Sequence, residues 1–208
     1  MQYQSMKKEK IKLIILDAYG VVFSRGYPDT SDFLEKSFGI PTKKSMVIMY
    51  KKYCNLAAER KITQKRAWQL TAKELDLPIK WQELRKIHMG LIEINQPVLR
   101  IVRQLRKHYL TVILSKNMRS QFSAVKKRFP QVWRDFTAVI NTWELGLPKA
   151  SKKTILVLAK KFQVKPAEIL YIDDQKDNLV EPKKLAVKTI FYKNFKQFKR
   201  ELSEYINF

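Results

Sequence analysis

The chain has almost no cysteine: Cys54 is the only one in 208 residues. A lone thiol forms no internal disulfide, which excludes a disulfide-framed secreted scaffold and makes the reducing cytoplasm the expected location, with Cys54 in the core. Histidine is nearly as scarce. His88 and His108 share no metal-ligand spacing and are expected on the surface or on helix faces. Long apolar runs are missing as well. Lys7, Lys8 and Lys10 ahead of Ile11 imitate the start of a signal peptide, but Asp17 cuts the run short, and no stretch approaches the ~20 apolar residues that a membrane helix needs. No internal repeat or low-complexity linker is present.

Acidic residues are few, 19 against 42 Lys and Arg, for a formal net charge of +23. Such a surplus suits anionic partners such as nucleic acid, membrane surfaces or phosphorylated metabolites. The lysines are spread over most expected helices, as in "KKYCNLAAERK", "VKKRF" and "EPKKLAVK", and form no single tract. That dispersal does not favour a nucleic-acid groove, which stays the alternative partner.

What is present is enough for a core. A hydrophobic content of 45%, with four tryptophans, eleven phenylalanines and nine tyrosines, excludes a disordered chain. The length fits one domain with an insertion, or two small domains. From Pro97 onward two hydrophobic periods alternate, the pattern of a parallel sheet covered by helices. A helix carries Val98, Ile101, Val102 and Leu105, and strand "YLTVILS" follows. Next come a helix around "SQFSAVKKRF", strand "FTAVIN", a helix opened by Ser151, strand "AEILYIDD", a helix through Leu185, strand "VKTIFY" and a last helix from Phe195 to Tyr205. A first strand, "IKLIILD", precedes all of these. Between it and Pro97 the pattern is helical throughout: "TSDFLEKSF" closed by Gly39, "KSMVIMYKKYCNLAA" as one helix, "TQKRAWQLTAKEL" and "WQELRKIHMGLI". The expected fold is therefore α/β, a Rossmann-like doubly wound parallel sheet over 1–26 and 95–208. A small helical cap domain, 27–94, is inserted after the first strand.

Open parallel sheets bind ligands beyond the carboxyl ends of their strands. Four places qualify here. The first strand ends at Asp17 and the second at Ser115, the third leads to Lys149, and the fourth ends at Asp173 and Asp174. Singly, each fits a bland role: an aspartate or serine caps helices, Asp-Asp forms turns, and one lysine among many is unremarked. Together they supply a carboxylate nucleophile, a hydroxyl, a cation and a metal-ready acidic pair on one edge. That set supports phosphoryl transfer through an aspartyl intermediate, with Mg²⁺ relieving the repulsion between neighbouring carboxylates.

In these segments the sequence resembles the haloacid dehalogenase superfamily, a family mostly of Mg²⁺-dependent phosphatases, and the resemblance spans nearly the whole chain. "IILDAYGVVF" is similar to the first motif, with Asp17 as nucleophile and the Tyr19 carbonyl as a metal ligand. "VILSKN" is similar to the second, which implies that Ser115 binds phosphate. There Lys116 intervenes before Asn117, and it either adds a cation near the phosphate or displaces a polar contact. "ELGLPK" is similar to the third, with Lys149, and "ILYIDDQKDN" to the fourth, with Asp174 as direct metal ligand and Asp173 beside it. The helical interval falls at the cap position, and Glu59–Trp68 within it is similar to a cap segment of sugar-phosphate phosphatases. Arg60 and Trp68 are read as structural. The implied activity is Mg²⁺-dependent hydrolysis of a small phosphomonoester; the alternatives are a catalytically weak or silent member that binds a phosphorylated ligand or nucleic acid, and a 2-haloacid dehalogenase-like enzyme.

Besides Lys116, two departures qualify that expectation. Most phosphatase members carry a second aspartate two residues after the nucleophile as acid and base, where this chain has Tyr19. "DAYG" instead resembles the L-2-haloacid dehalogenases, which attack carbon without metal. However, Asp173 and Asp174 are unlike the dehalogenase fourth motif, and Thr154, Ile155 and Leu156 stand where those enzymes have a tyrosine. Finally, Ala150 replaces the usual proline after the lysine, with Pro148 before it.

Overall fold

The computed structural model describes residues 10–207; Lys7 and Lys8 lie outside them. Five parallel strands form one sheet in the order β3-β2-β1-β4-β5: β1 Leu13–Asp17, β2 Leu110–Ser115, β3 Ala138–Asn141, β4 Ile169–Asp173 and β5 Lys188–Phe191. The chain winds from β1 outward through β2 to β3, then crosses back to β4 on the other side of β1. The order reverses between β1 and β4, which places a crevice at their carboxyl ends.

Strand β1 explains why the sheet is buried on both faces. Every residue of "LIILD" is buried. Leu13 and Ile15 face one cluster with Val112, Leu114, Tyr171 and, from helix α10 (Lys152–Lys161), Ile155 and Leu158. Ile14 and Leu16 face the other, with Ile113, Ile172, Val98 and Val102 of α6 (Gln96–Leu105), and Phe198 and Leu202 of α12 (Phe195–Ser203). Alternating side chains thus serve two cores, and each buried aliphatic contributes about 1.5–3 kcal/mol.

Between β1 and α6 the chain is helical: α1 Tyr27–Phe38, α2 Thr42–Ser45, a π-helix Met46–Cys54, α3 Asn55–Ala58, α4 Gln64–Glu74 and α5 Trp81–Gly90. These elements share a third cluster of Leu34, Met49, Cys54, Trp68 and Leu84, joined by Met118 from beyond β2. Both ends of the helical segment are pinned together at the sheet. Phe23 bridges Ile94, and the Asn95 side chain donates to the Val21 carbonyl at 2.9 Å.

Several sequence expectations need correction. The stretch expected as one α-helix over 44–58 widens into nine residues of π-helix, a form frequent at functional sites. Helix α7 (Arg119–Arg128) is followed by a separate α8 (Pro130–Asp135), since Pro130 starts a new first turn; β3 therefore begins two residues later than Phe136. A short α9 (Thr142–Leu145) follows β3. The expected helix through Leu185 is a 3₁₀ turn, Lys176–Leu179, leading into α11 (Val180–Lys184). His88 is fully buried, because α5 is amphipathic and sets His88 one turn from Leu84 on its inward face, whereas His108 is exposed. Among the described residues no helix is long and apolar enough to cross a membrane.

Candidate active site

Asp17, at the end of β1, is only 4% exposed. One carboxylate oxygen accepts from the Ala18 amide at 2.5 Å, and the other lies 2.5 Å from Lys149 Nζ. The lysine arrives on the loop after α9, where Gly146 adopts a left-handed conformation. That loop is held from below. Ser151 caps α10 by accepting from Thr154 N–H at 3.2 Å, and the Thr154 hydroxyl donates to the Pro148 carbonyl at 2.5 Å. Lys149 also touches Asp173 at 2.8 Å.

Asp173 is saturated by the protein. Besides Lys149 it accepts from the Tyr171 hydroxyl at 2.6 Å, the Gln175 amide at 2.8 Å, and Asn178 Nδ2 at 3.0 and 3.1 Å. Its oxygens fix Lys149 and the loop after β4. Asp174 differs, since its Oδ1 is buried with no hydrogen-bond partner. The carboxylate lies against Gly20, whose φ is +85° and where a Cβ would fall 2.1 Å from Asp174 Oδ2. Only a residue without a side chain allows this approach. Carboxylate oxygens of Asp17, Asp173 and Asp174 lie within 4.8 Å of one another, close enough to share one cation.

Ser115 at the end of β2 is 1% exposed, and its hydroxyl likewise has no partner. The loop beyond it is held by Asn141, which accepts from Asn117 N at 3.1 Å and donates from Nδ2 to the Asn117 carbonyl at 2.9 Å. The Asn117 side chain is used internally, accepting from Met118 N at 2.8 Å and donating to the Tyr19 hydroxyl at 2.8 Å. Lys116 lies at the rim and donates to Asn55 Oδ1 at 3.2 Å.

Asp17, Tyr19, Ser115, Lys116, Asn117, Lys149 and Asp174 line one cavity of about 490 Å³. Its far wall comes from the helical segment. Tyr50, Lys51 and Asn55 project from the π-helix and the start of α3, and Tyr27 from α1 packs its ring 5.2 Å from that of Tyr50. Arg25 is also there, but Asp29 and Asp32 each hold it at 2.7 Å or less. A larger groove of about 690 Å³ contains none of the strand-end residues. It runs beside Trp143, on which Arg60 stacks at 4.0 Å while donating to the Trp143 carbonyl.

The electrostatics follow from burial. Burial pushes the Asp17 carboxyl up to about 7; Lys149 works against that shift and Asp173 adds to it. For Lys149, burial alone favours the neutral amine, but Asp17 and Asp173 outweigh it and raise its pKa. Asp174 is raised by burial and then by Asp173. Burial also raises the Tyr19 phenol, against hydrogen bonds from Gln121 and Asn117. The three carboxylates thus sit as a charge excess that Lys149 alone does not neutralise, and a divalent cation would lower the repulsion.

Sequence reasoning missed Asn141, Tyr171 and Gln121, all buried polar residues that orient site residues. An asparagine closing "FTAVIN" and a tyrosine inside "ILYID" carry no spacing signal, because their partners lie on other strands.

A family described as haloacid dehalogenase-like hydrolase matches residues 11–179. No curated protein is significantly similar in sequence. Among solved structures, a predicted HAD-like family hydrolase from Porphyromonas gingivalis superposes with a TM-score of 0.70 at 20% identity, over 94% of this chain and 98% of that one. A HAD family enzyme from Bacteroides thetaiotaomicron, solved with magnesium and inorganic phosphate, gives 0.67 at 18% identity over 88% and 94%. The L-2-haloacid dehalogenase of Xanthobacter autotrophicus gives 0.65 at 17% over 93% and 83%. At these identities the likeness is one of fold.

Proposed function

This chain belongs to the haloacid dehalogenase-like hydrolase family, and from that premise we propose that it is a Mg²⁺-dependent phosphatase of a small phosphomonoester. One observation carries the reading. The cavity that holds the nucleophile candidate Asp17 also contains two buried, unpartnered polar groups of opposite need, the Ser115 hydroxyl and Asp174 Oδ1. A buried polar atom without a partner costs about 1–3 kcal/mol, so each marks a place built for something from outside. The hydroxyl suits an anion and the carboxylate oxygen suits a cation.

The donor set fits magnesium: hard carboxylate oxygens from Asp17 and Asp174, with the Tyr19 backbone carbonyl as third candidate. Asp173, whose oxygens are filled by Lys149, Tyr171, Gln175 and Asn178, acts on this reading through Lys149 instead. Bound Mg²⁺ would offset charge shared between Asp17 and the phosphoryl oxygens. Lys149 and the Ser115 hydroxyl bind those oxygens, with Lys116 at the rim. Asn117 serves the phosphate site by holding the loop. An Asp17 oxygen attacks phosphorus, the ester P–O bond breaks, and the alcohol oxygen leaves and takes a proton from water. Water then hydrolyses the aspartyl phosphate. Attack needs ionised Asp17, which burial opposes and Lys149 favours.

A panel of phosphomonoesters assayed with MgCl₂ and with EDTA tests the proposal. Mg²⁺-dependent turnover that disappears in Asp17→Asn supports it. Turnover unchanged in Asp17→Asn refutes it, and so does halide release from 2-haloacids in EDTA without any phosphatase activity.

A further inference from the structure

The groove beside Trp143, outside the catalytic cavity, carries charge of one sign. Arg60, Lys61 and Arg119 line its volume of about 690 Å³, and no acidic residue does. Lys61 meets Glu59 at 2.9 Å and Arg119 meets Glu144 at 3.5 Å, but neither carboxylate lines the groove. Arg60 has no carboxylate partner among the described residues. Its guanidinium instead stacks on the Trp143 ring at 4.0 Å and donates to the Trp143 carbonyl at 2.6 Å, and Arg119 lies 5.7 Å from the same ring. Two guanidinium groups thus share one aromatic side chain, and an anion between them would offset their repulsion. The Arg60 backbone is left-handed, with φ +64°, a strained conformation of the kind that clusters at ligand clamps.

Two helices also begin at the groove. Thr63 and Gln64 open α4, and Arg119 and Ser120 open α7, where Met118 supplies no side-chain cap. First-turn amides are spare donors at the positive end of the helix dipole. Gln64 adds an independent demand, since its amide nitrogen and amide oxygen are both buried and neither has a hydrogen-bond partner. Both needs persist whichever way the amide is turned. The nitrogen needs an acceptor, which any oxyanion supplies. The oxygen needs a donor, which sulfate and an ionised carboxylate lack and a singly protonated phosphate group has.

We propose that this groove is a phosphate-binding site separate from the catalytic cavity, holding a singly protonated phosphate group between Arg60 and Gln64 of the helical segment and Arg119 of α7. The group is free inorganic phosphate or a phosphate borne by an organic molecule, since both present the same oxygens and proton. Bound there, it ties the helical segment to the start of α7 across the groove.

The test is NMR on isotope-labelled protein in EDTA at slightly acid pH, titrated with inorganic phosphate and separately with sulfate at constant ionic strength. The amide signals of Gln64, Lys65, Arg119 and Ser120 and the Trp143 indole N–H should move saturably with phosphate. Sulfate should bind there roughly 10-fold more weakly, because it leaves the Gln64 oxygen unmet. Arg119→Gln alters a largely exposed side chain. It should weaken phosphate at these signals by roughly 10-fold, the effect of losing one charged donor, while Ser115, Lys116 and Asn117 respond as in wild type. Gln64→Met should bring phosphate and sulfate to similar affinity. Shifts confined to Ser115, Lys116 and Asn117, or groove shifts unchanged in Arg119→Gln, would overturn the site, and wild-type sulfate binding as tight as phosphate would overturn its assignment to phosphate. Kinetics on esters carrying one or two phosphates separate the sources: Arg119→Gln raises KM for the bisphosphate alone where the group belongs to the substrate, and for neither where it is free phosphate. The binding results do not depend on turnover, so this site and the phosphatase reading fail separately.

Discussion

Replacing His88 by glutamine should abolish a measurable part of the protein's acid sensitivity. His88 is fully buried among Thr30, Gln121, Tyr27 and Trp68, and burial, with Arg85 nearby, drives its pKa from 6.5 down to about 3. Its folded-state pKa lies below the unfolded one, so acid favours the unfolded chain, which takes up a proton that the native state refuses. The contribution is intact above about pH 6.5 and is lost progressively towards pH 3. Between pH 7 and pH 5 the unfolded imidazole binds most of a proton while the native one stays neutral, which costs about 2 kcal/mol at 1.36 kcal/mol per unit. Any native value below pH 5 gives nearly the same figure. Urea unfolding followed by tryptophan fluorescence at both pH values measures it. Wild type and His88→Gln share every other titrating group, Asp17 included, so those contributions cancel. The variant should be the less stable at pH 7, by about 1–3 kcal/mol for the disrupted buried network, and the gap should narrow by about 2 kcal/mol at pH 5. A gap that is the same at both pH values would refute the buried neutral imidazole.

Asp17→Asn should reduce turnover by about 10³-fold or more with little loss of Mg²⁺-free stability, checked by steady-state kinetics beside thermal melts. Gly20→Ala should weaken Mg²⁺ binding in a calorimetric titration, because its Cβ would meet the Asp174 carboxylate, and should lower stability by about 1 kcal/mol for the left-handed backbone. Ser151→Ala should lower stability by about 1 kcal/mol in urea and reduce kcat, because the helix cap it removes also supports the Pro148 carbonyl next to Lys149.

The strand ends were legible from the chain because their signals are local. "LIILD" announces a strand buried on both faces that closes on a carboxylate, and "ILYIDD" repeats it. Period and spacing also foretold the helical stretch between Asp17 and Pro97. What sequence could not give was the division of labour between neighbours. Asp173 and Asp174 are adjacent and chemically identical, yet one is filled by Lys149, Tyr171, Gln175 and Asn178 while the other keeps an oxygen unpartnered. That difference depends on groups contributed by other strands and loops. His88 likewise reads as a polar residue on a helix, and only the packing of α5 against α1 and α7 turns it into a buried group bonded to Thr30 and Gln121. Residue order alone sets which groups close each strand; which of them still has a free atom is decided by contacts between segments far apart in the chain.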